Sequence, residues 1–98
     1  MNSGLFLSCV ADPTRYALLT QLAEGNPSVT ELVVATGQSQ SNVSHHLKQL
    51  RQCGLVTYER DGKSNRYTLS TPALSKFLET VEATTKALES LCHCEVCE

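Results

Sequence analysis

From Ser39 to Val56 the chain reads SQSNVSHHLKQLRQCGLV, and its polarity repeats with the period of a helix. Val43, His46, Leu47 and Leu50 fall on one side at i, i+3, i+4 and i+7, while Ser41, Ser44, His45 and Lys48 fall on the other. Gln40 sits at the leading end, Ser39 is a capping residue type, and Gly54 follows as a stop after about Gln52. The period then drops to two. Val56-Thr57-Tyr58-Glu59-Arg60 and Asn65-Arg66-Tyr67-Thr68-Leu69 alternate on either side of Asp61-Gly62, a hairpin signal. An amphipathic helix running straight into a hairpin leaves few architectures open to a single domain of 98 residues.

The flanking segments narrow the choice. Leu5–Val10 reads as a short first helix. Asp12-Pro13 opens a second, because Asp caps and Pro suits the first helical position. Leu18, Leu19, Leu22 and Ala23 give it an apolar stripe, and Gly25-Asn26-Pro27 ends it. Thr30–Thr36 carries Leu32, Val33 and Ala35 ahead of Gly37. Thr71-Pro72 opens a last helix, with Leu74, Phe77, Leu78, Val81, Leu88 and Leu91 at helical spacing and a weaker turn at Thr84-Thr85. The order predicts a mostly α fold with a small β-hairpin: a winged helix-turn-helix with helices added at both ends. Residues 1–91 form that domain, and 92–98 form a cysteine-rich tail.

A net charge of −2 counts weakly against nucleic acid, but the charge is unevenly spread. Residues 42–71 hold Lys48, Arg51, Arg60, Lys63 and Arg66 against Glu59 and Asp61, a net +3 between two acidic flanks. Local field steers a phosphate backbone more than net charge does. Gln40, Ser41, Ser44, His45 and Lys48 offer amide, hydroxyl, imidazole and ammonium groups suited to base edges and phosphates in a major groove. Arg60, Lys63 and Arg66 surround the hairpin tip, where a wing grips backbone phosphates. A plain solvated helix face and hairpin would use the same residue types. His46, on the apolar side, reads as a packing residue.

No run approaches the ~20 apolar residues of a membrane span. The opening residues lack the basic region of a secretory leader, so the chain reads as cytoplasmic. Five cysteines in a reducing compartment point to metal binding or redox chemistry rather than a disulfide framework. Cys92, Cys94 and Cys97 fall within six residues, close enough to place three sulfurs on one ion. Three thiolates suit As(III) or Pb(II); adding Cys53 or His93 suits four-coordinate Cd(II) or Zn(II). Cys53 alone fits either a ligand or a filler of a small gap. Cys9, beside Val10, reads as packing. Cys94-Glu95-Val96-Cys97 has a C-x-x-C spacing but lacks the βαβ context of a redox enzyme.

Ala11-Asp12-Pro13-Thr14-Arg15, SQSNVSHHLKQLRQCGLV and DGKSNRYTL together resemble the arsenic-repressor (ArsR/SmtB) family of metal-sensing repressors, across roughly residues 5–91. The resemblance implies a homodimer with the first and last helices at its interface. It also implies release of double-stranded operator DNA when metal or another inducer binds. By position, Gln40, Ser41, Ser44 and His45 match the family's DNA-contacting residues. Two of the family's ion sites are absent: the Cys-x-Cys positions are Ser28 and Thr30, and the Asp/His positions are Thr71, Ala73, Thr84 and Ala87. In the cadmium/lead-sensing pattern Gln49 replaces the first cysteine, Cys53 matches the second, and the tail is cysteine-rich; some arsenite sensors likewise use tail cysteines. The expectation is therefore a repressor that leaves DNA when Cys92, Cys94, Cys97 and Cys53 take a thiophilic ion. The alternatives are oxidation or persulfide formation on the same thiols, or a metal-sequestering protein that never touches DNA. Paired catalytic carboxylates, a phosphate loop and a nucleophile with a placed base are all missing, which argues against an enzyme.

Overall fold

A computed structural model describes residues 1–91 as five helices and one hairpin. Each helix begins where a polar side chain satisfies a free backbone N–H. Helix α1 (Ser3–Val10) starts two residues ahead of its apolar pattern, because Asn2 Oδ1 accepts from the Leu5 N–H at 2.8 Å. Asp12 Oδ2 accepts from the Arg15 N–H at 2.9 Å, with Pro13 as the first residue of α2 (Pro13–Glu24). Helix α3 (Val29–Thr36) starts one residue earlier than expected, because Ser28 Oγ caps it through the Glu31 N–H. Gly37, at φ +70°, turns the chain, and Ser39 Oγ caps α4 (Gln40–Gln52) through the Asn42 N–H at 3.1 Å.

The end of α4 is closed by a Schellman motif. Gly54 sits at φ +78°; its N–H donates to Arg51 O, and the next N–H, of Leu55, donates to Leu50 O at 3.0 Å. Strands β1 (Val56–Asp61) and β2 (Ser64–Leu69) pair antiparallel from Val56↔Leu69 to Asp61↔Ser64. The turn is thus Gly62-Lys63 rather than Asp61-Gly62, and the φ of +63° at Gly62 suits a type II′ turn. Helix α5 (Pro72–Glu89) ends short of Leu91 and runs unbroken through Thr84-Thr85, where the Thr85 hydroxyl donates to Val81 O.

Helix α2 lies at the centre, against α1, α3, α4, α5 and β2. Leu18 and Leu19 of α2, Leu32 of α3, and Val43, Leu47 and Leu50 of α4 are fully buried. Each such side chain contributes about 1.5–3 kcal/mol by leaving water. The hairpin is fastened at its base by Leu55, Val56 and Tyr67, and by the Tyr67 N–H donating to Pro27 O at 3.0 Å. Burial of Val43, Leu47 and Leu50 fixes the roll of α4, so its polar residues must face outward. Leu5, Leu7, Leu88 and Leu91 lie outside the core, exposed along α1 and at the end of α5. Among the described residues, no helix is long and apolar enough to cross a membrane.

Candidate nucleic-acid interface and thiol site

Helices α3 and α4, joined through Gly37, form a helix-turn-helix that presents the outer face of α4. Gln40, Ser41, Ser44, His45 and Lys48 are all exposed on it. None of the five side chains makes a hydrogen bond or ion pair within the described residues. The Gln38 side chain instead accepts from Asn42 Nδ2 at 2.7 Å, which stiffens the turn leading into the helix. His46 is turned inward as expected; its Nδ1 is buried without a hydrogen bond, 3.9 Å from Asp12 Oδ2. Asp12 is held below the usual carboxylate range chiefly by the Arg15 amide it caps, with His46 and the Arg15 charge adding and partial burial opposing.

The three hairpin cations separate into two groups. Lys63 occupies the turn and Arg60 curls over it, its Nε donating to Gly62 O at 3.2 Å; both are exposed. Arg66 is already engaged: it is ion-paired with Glu31 of α3, lies 3.6 Å from Asp61, and donates to Asn26 O at 3.3 Å. That guanidinium holds the Glu31 carboxyl below its ordinary range. Arg66 thus locks the hairpin to the helix-turn-helix, while Arg60 and Lys63 project from the tip. Arg51 adds a further exposed cation, stacked 4.9 Å over the Tyr58 ring.

The C-terminal end of α4 is tied to α1. Arg15 donates from Nε to Cys9 O at 2.7 Å, from Nη2 to Ser8 O at 3.3 Å, and from Nη1 to Gln49 Oε1 at 3.0 Å. One turn beyond Gln49, the half-buried Cys53 caps α4 and is joined to Cys9 of α1 by a disulfide, a link the sequence reading did not expect, with their Cα atoms 7.0 Å apart. Cys9 is therefore more than the packing residue its neighbours suggested. Among the described residues, no three His, Cys, Asp or Glu side chains converge as a metal site. Cys92, Cys94 and Cys97, with His93, lie outside the described residues.

The profile of the bacterial regulatory protein family arsR matches residues 12–58, from the capping Asp12 to the first strand. The HTH-type transcriptional regulator NmtR of Mycobacterium tuberculosis is 42% identical over 73 residues, covering 74% of this chain and 61% of that protein. A probable mercury resistance operon repressor of Streptomyces lividans is 41% identical over 74 residues, covering 76% of this chain and 59% of that protein. The matches therefore span about three fifths of the length of these curated relatives. The crystal structure of M. tuberculosis Rv0081 superimposes with a TM-score of 0.82 at 30% identity, covering 89% of this chain and 88% of that one. The chain belongs to the arsR family. Its architecture is the winged helix-turn-helix read from the sequence, and the family is regulatory rather than enzymatic.

The exposed face of α4 and the exposed tip of the hairpin were visible in residue types alone. Arg15 and Cys9 were not. A guanidinium that bridges two helices and a thiol partner far along the chain leave no periodic trace. The Asp12-Pro13-Thr14-Arg15 string marked the right place without disclosing what Arg15 does there. Between α1, α2 and α5 lies an apolar groove of about 540 Å³, lined by Leu7, Val10, Tyr16, Phe77 and Val81 among others. At its edge the Tyr16 hydroxyl donates to Glu82 Oε1 at 2.7 Å, and its pKa is pushed up to about 12 by burial and by that carboxylate.

Proposed function

We propose that this chain is a transcriptional repressor that binds operator DNA as a homodimer and releases it when cysteine thiolates take up a thiophilic metal or metalloid ion. The observation that carries the DNA half is the exposed, unpartnered row Gln40, Ser41, Ser44, His45 and Lys48, with Arg60 and Lys63 projecting from the hairpin. Arg66, spent on Glu31, positions the hairpin instead of gripping phosphate. Exposed Leu5 and Leu7 on α1, with Leu88 and Leu91 at the end of α5, supply the apolar surface for the dimer. Two reading helices would then address half-sites about one helical turn apart. The protein acts on DNA in the cytoplasm.

Cys92, Cys94, Cys97 and Cys53 are the proposed ion ligands, and As(III), Cd(II) and Pb(II) the inducers best suited to them, with Zn(II) as a further candidate. A relative that is a probable mercury resistance operon repressor supports a soft-ion inducer. Linkage requires that an ion favouring the DNA-free form be bound more weakly, by the same factor, when DNA is present. Cys53 joins the two activities because it ends the helix that reads DNA. An operator-release assay across As(III), Cd(II), Pb(II), Zn(II) and Cu(I) tests this. Release by one or more ions, lost when Cys92, Cys94 and Cys97 are replaced together, supports the proposal; release by none overturns the ion half. The Cys9–Cys53 disulfide favours a second reading, thiol oxidation as the signal. No tight ion in an anaerobic titration, with disulfide formation and release of DNA once hydrogen peroxide is added as the two-electron oxidant, would select it.

A further inference from the structure

Arg51 stands in the last turn of α4, and its guanidinium lies 4.9 Å over the centre of the Tyr58 ring. Among the described residues its side chain makes no hydrogen bond and no ion pair. We infer that Arg51, held on Tyr58, is a further contact to the DNA backbone, gripping a phosphate between those met by the reading helix and those met by the hairpin tip. This deepens the proposed function and rests on its DNA half.

The helix and the hairpin meet at this pair. Arg51 follows Lys48 by three residues and Ser44 by seven, so on an α-helix it continues their outward row. On the hairpin, Tyr58 stands opposite Tyr67, Glu59 opposite Arg66 and Arg60 opposite Asn65. Side chains two apart along a strand share a face, so Tyr58 and Arg60 lie on one face of the hairpin. Glu59, Asp61 and Arg66 lie on the other, where Arg66 is ion-paired with Glu31 and sits 3.6 Å from Asp61. The hairpin thus sorts its charges, with the acids and the engaged arginine on one face and the ring and Arg60 on the other. Contact of Arg51 with Tyr58 joins the outward row of α4 to the face that carries Arg60. Lys48, Arg51 and Arg60 then form a run of exposed cations from the reading helix to the hairpin, ending at Lys63 in the turn.

The ring decides what Arg51 can do. Tyr58 is itself braced, its ring 5.5 Å from that of the buried Tyr67, whose N–H donates to Pro27 O. A guanidinium stacked on an aromatic face keeps its N–H groups in its own plane, free at the edge. That edge matches two oxygens of a phosphate, and the stack restricts the side chain before DNA arrives. A cation in the last turn also suits the negative end of the helix dipole. That second role stabilises α4 with or without DNA, so the two roles have different readouts. A structural cation moves the unfolding midpoint, whereas a phosphate contact moves the salt dependence of binding.

The test measures binding of the full, ion-free chain to DNA from its own upstream region across a salt series, with urea unfolding alongside. Arg51→Ala should lower the slope of log affinity against log salt by about 0.9, the value for one phosphate, and should do the same on an unrelated duplex. Arg51→Lys returns the charge and should restore the slope. Tyr58→Leu keeps the bulk and removes the aromatic face; the slope should hold while affinity falls about two- to fivefold, the worth of an exposed cation–π stack. Arg66→Ala, which removes a hairpin cation already engaged, should leave the slope unchanged. An unchanged slope in Arg51→Ala, with or without a fall in its urea midpoint, would overturn the inference. An equal fall of slope in Arg66→Ala would also overturn it, because net charge alone would then set the slope. If Lys63→Ala lowers the slope and Arg51→Ala does not, DNA binding stands and only the Arg51 contact is lost. If the unaltered chain shows no salt-dependent binding to either duplex, both the contact and the proposed function are overturned.

Discussion

The two ends of α4 face different tasks on one rigid rod. Along its first three turns Gln40, Ser41, Ser44, His45 and Lys48 point outward, and their side chains make no hydrogen bond or ion pair within the described residues. At its last turn Gln49 and Cys53 are both engaged, by Arg15 and by Cys9. An unpartnered polar row keeps its hydrogen-bonding capacity for a ligand. The tethered end sets where the helix that carries the row is held. Between the two ends, Val43, Leu47 and Leu50 are buried against α2 and α3, so a packed helix rather than a hinge joins them.

The most damaging way to break this arrangement is to remove the shared anchor. Leu47→Ala empties a site that is 1% exposed and should cost about 2–5 kcal/mol, read as a fall in the urea midpoint with DNA binding weakened by unfolding. Gly54→Ala acts at the tethered end alone. A Cβ there meets no atom within 4 Å, so only the left-handed backbone at φ +78° is penalised, by about 1–2 kcal/mol in denaturant unfolding. A fall as large as that of Leu47→Ala would mean that Gly54 does more than close the helix.

Next come the hairpin cations, which sharpen the division between free and engaged groups. Lys63→Ala should weaken DNA binding uniformly and reduce the slope of log affinity against log salt by about 0.9, the value for one phosphate. Arg66→Ala should leave that slope unchanged and lower stability instead, because its partners are Glu31, Asp61 and Asn26 O. Equal slopes for the two variants would erase the distinction. The smallest effect is in pH. Glu31 and Asp12 both have folded pKa values below their unfolded ones, so the stability they add is present above about pH 4 and is lost as pH falls through the folded values. Glu31→Gln should make the acid limb of the stability curve shallower, measured by denaturation between about pH 5 and about pH 3.

What the sequence disclosed and what it hid divide along the same physical line. Caps at Asp12 and Ser39, the stop at Gly54 and the inward set Val43, Leu47 and Leu50 act within a turn or two of chain, so periodicity and residue type expose them. Asn2 and Ser28 were missed as caps, although Ser28 stands directly before Val29 with Glu31 at capping-box spacing, and the hairpin turn was misplaced by one residue for want of a local register marker. The Arg66 pair spans 35 residues, the Arg15–Gln49 bond 34, and the Cys9–Cys53 contact 44. Contacts that distant are set by how helices dock. Arg66 consequently looked like Arg60 and Lys63, and Cys9 looked like a core residue.

The central claim is that a signal received at the thiols reaches DNA through the end of α4. The most direct measurement is the affinity of the reduced protein for DNA from its own upstream region, at fixed salt, with and without a saturating inducing ion, for the unaltered chain and for Cys53→Ser. The account predicts that the ion weakens binding by about 5–150-fold in the unaltered chain. It predicts that most of this loss disappears in Cys53→Ser while ion-free affinity stays close to that of the unaltered chain. An undiminished ion effect in Cys53→Ser would contradict it.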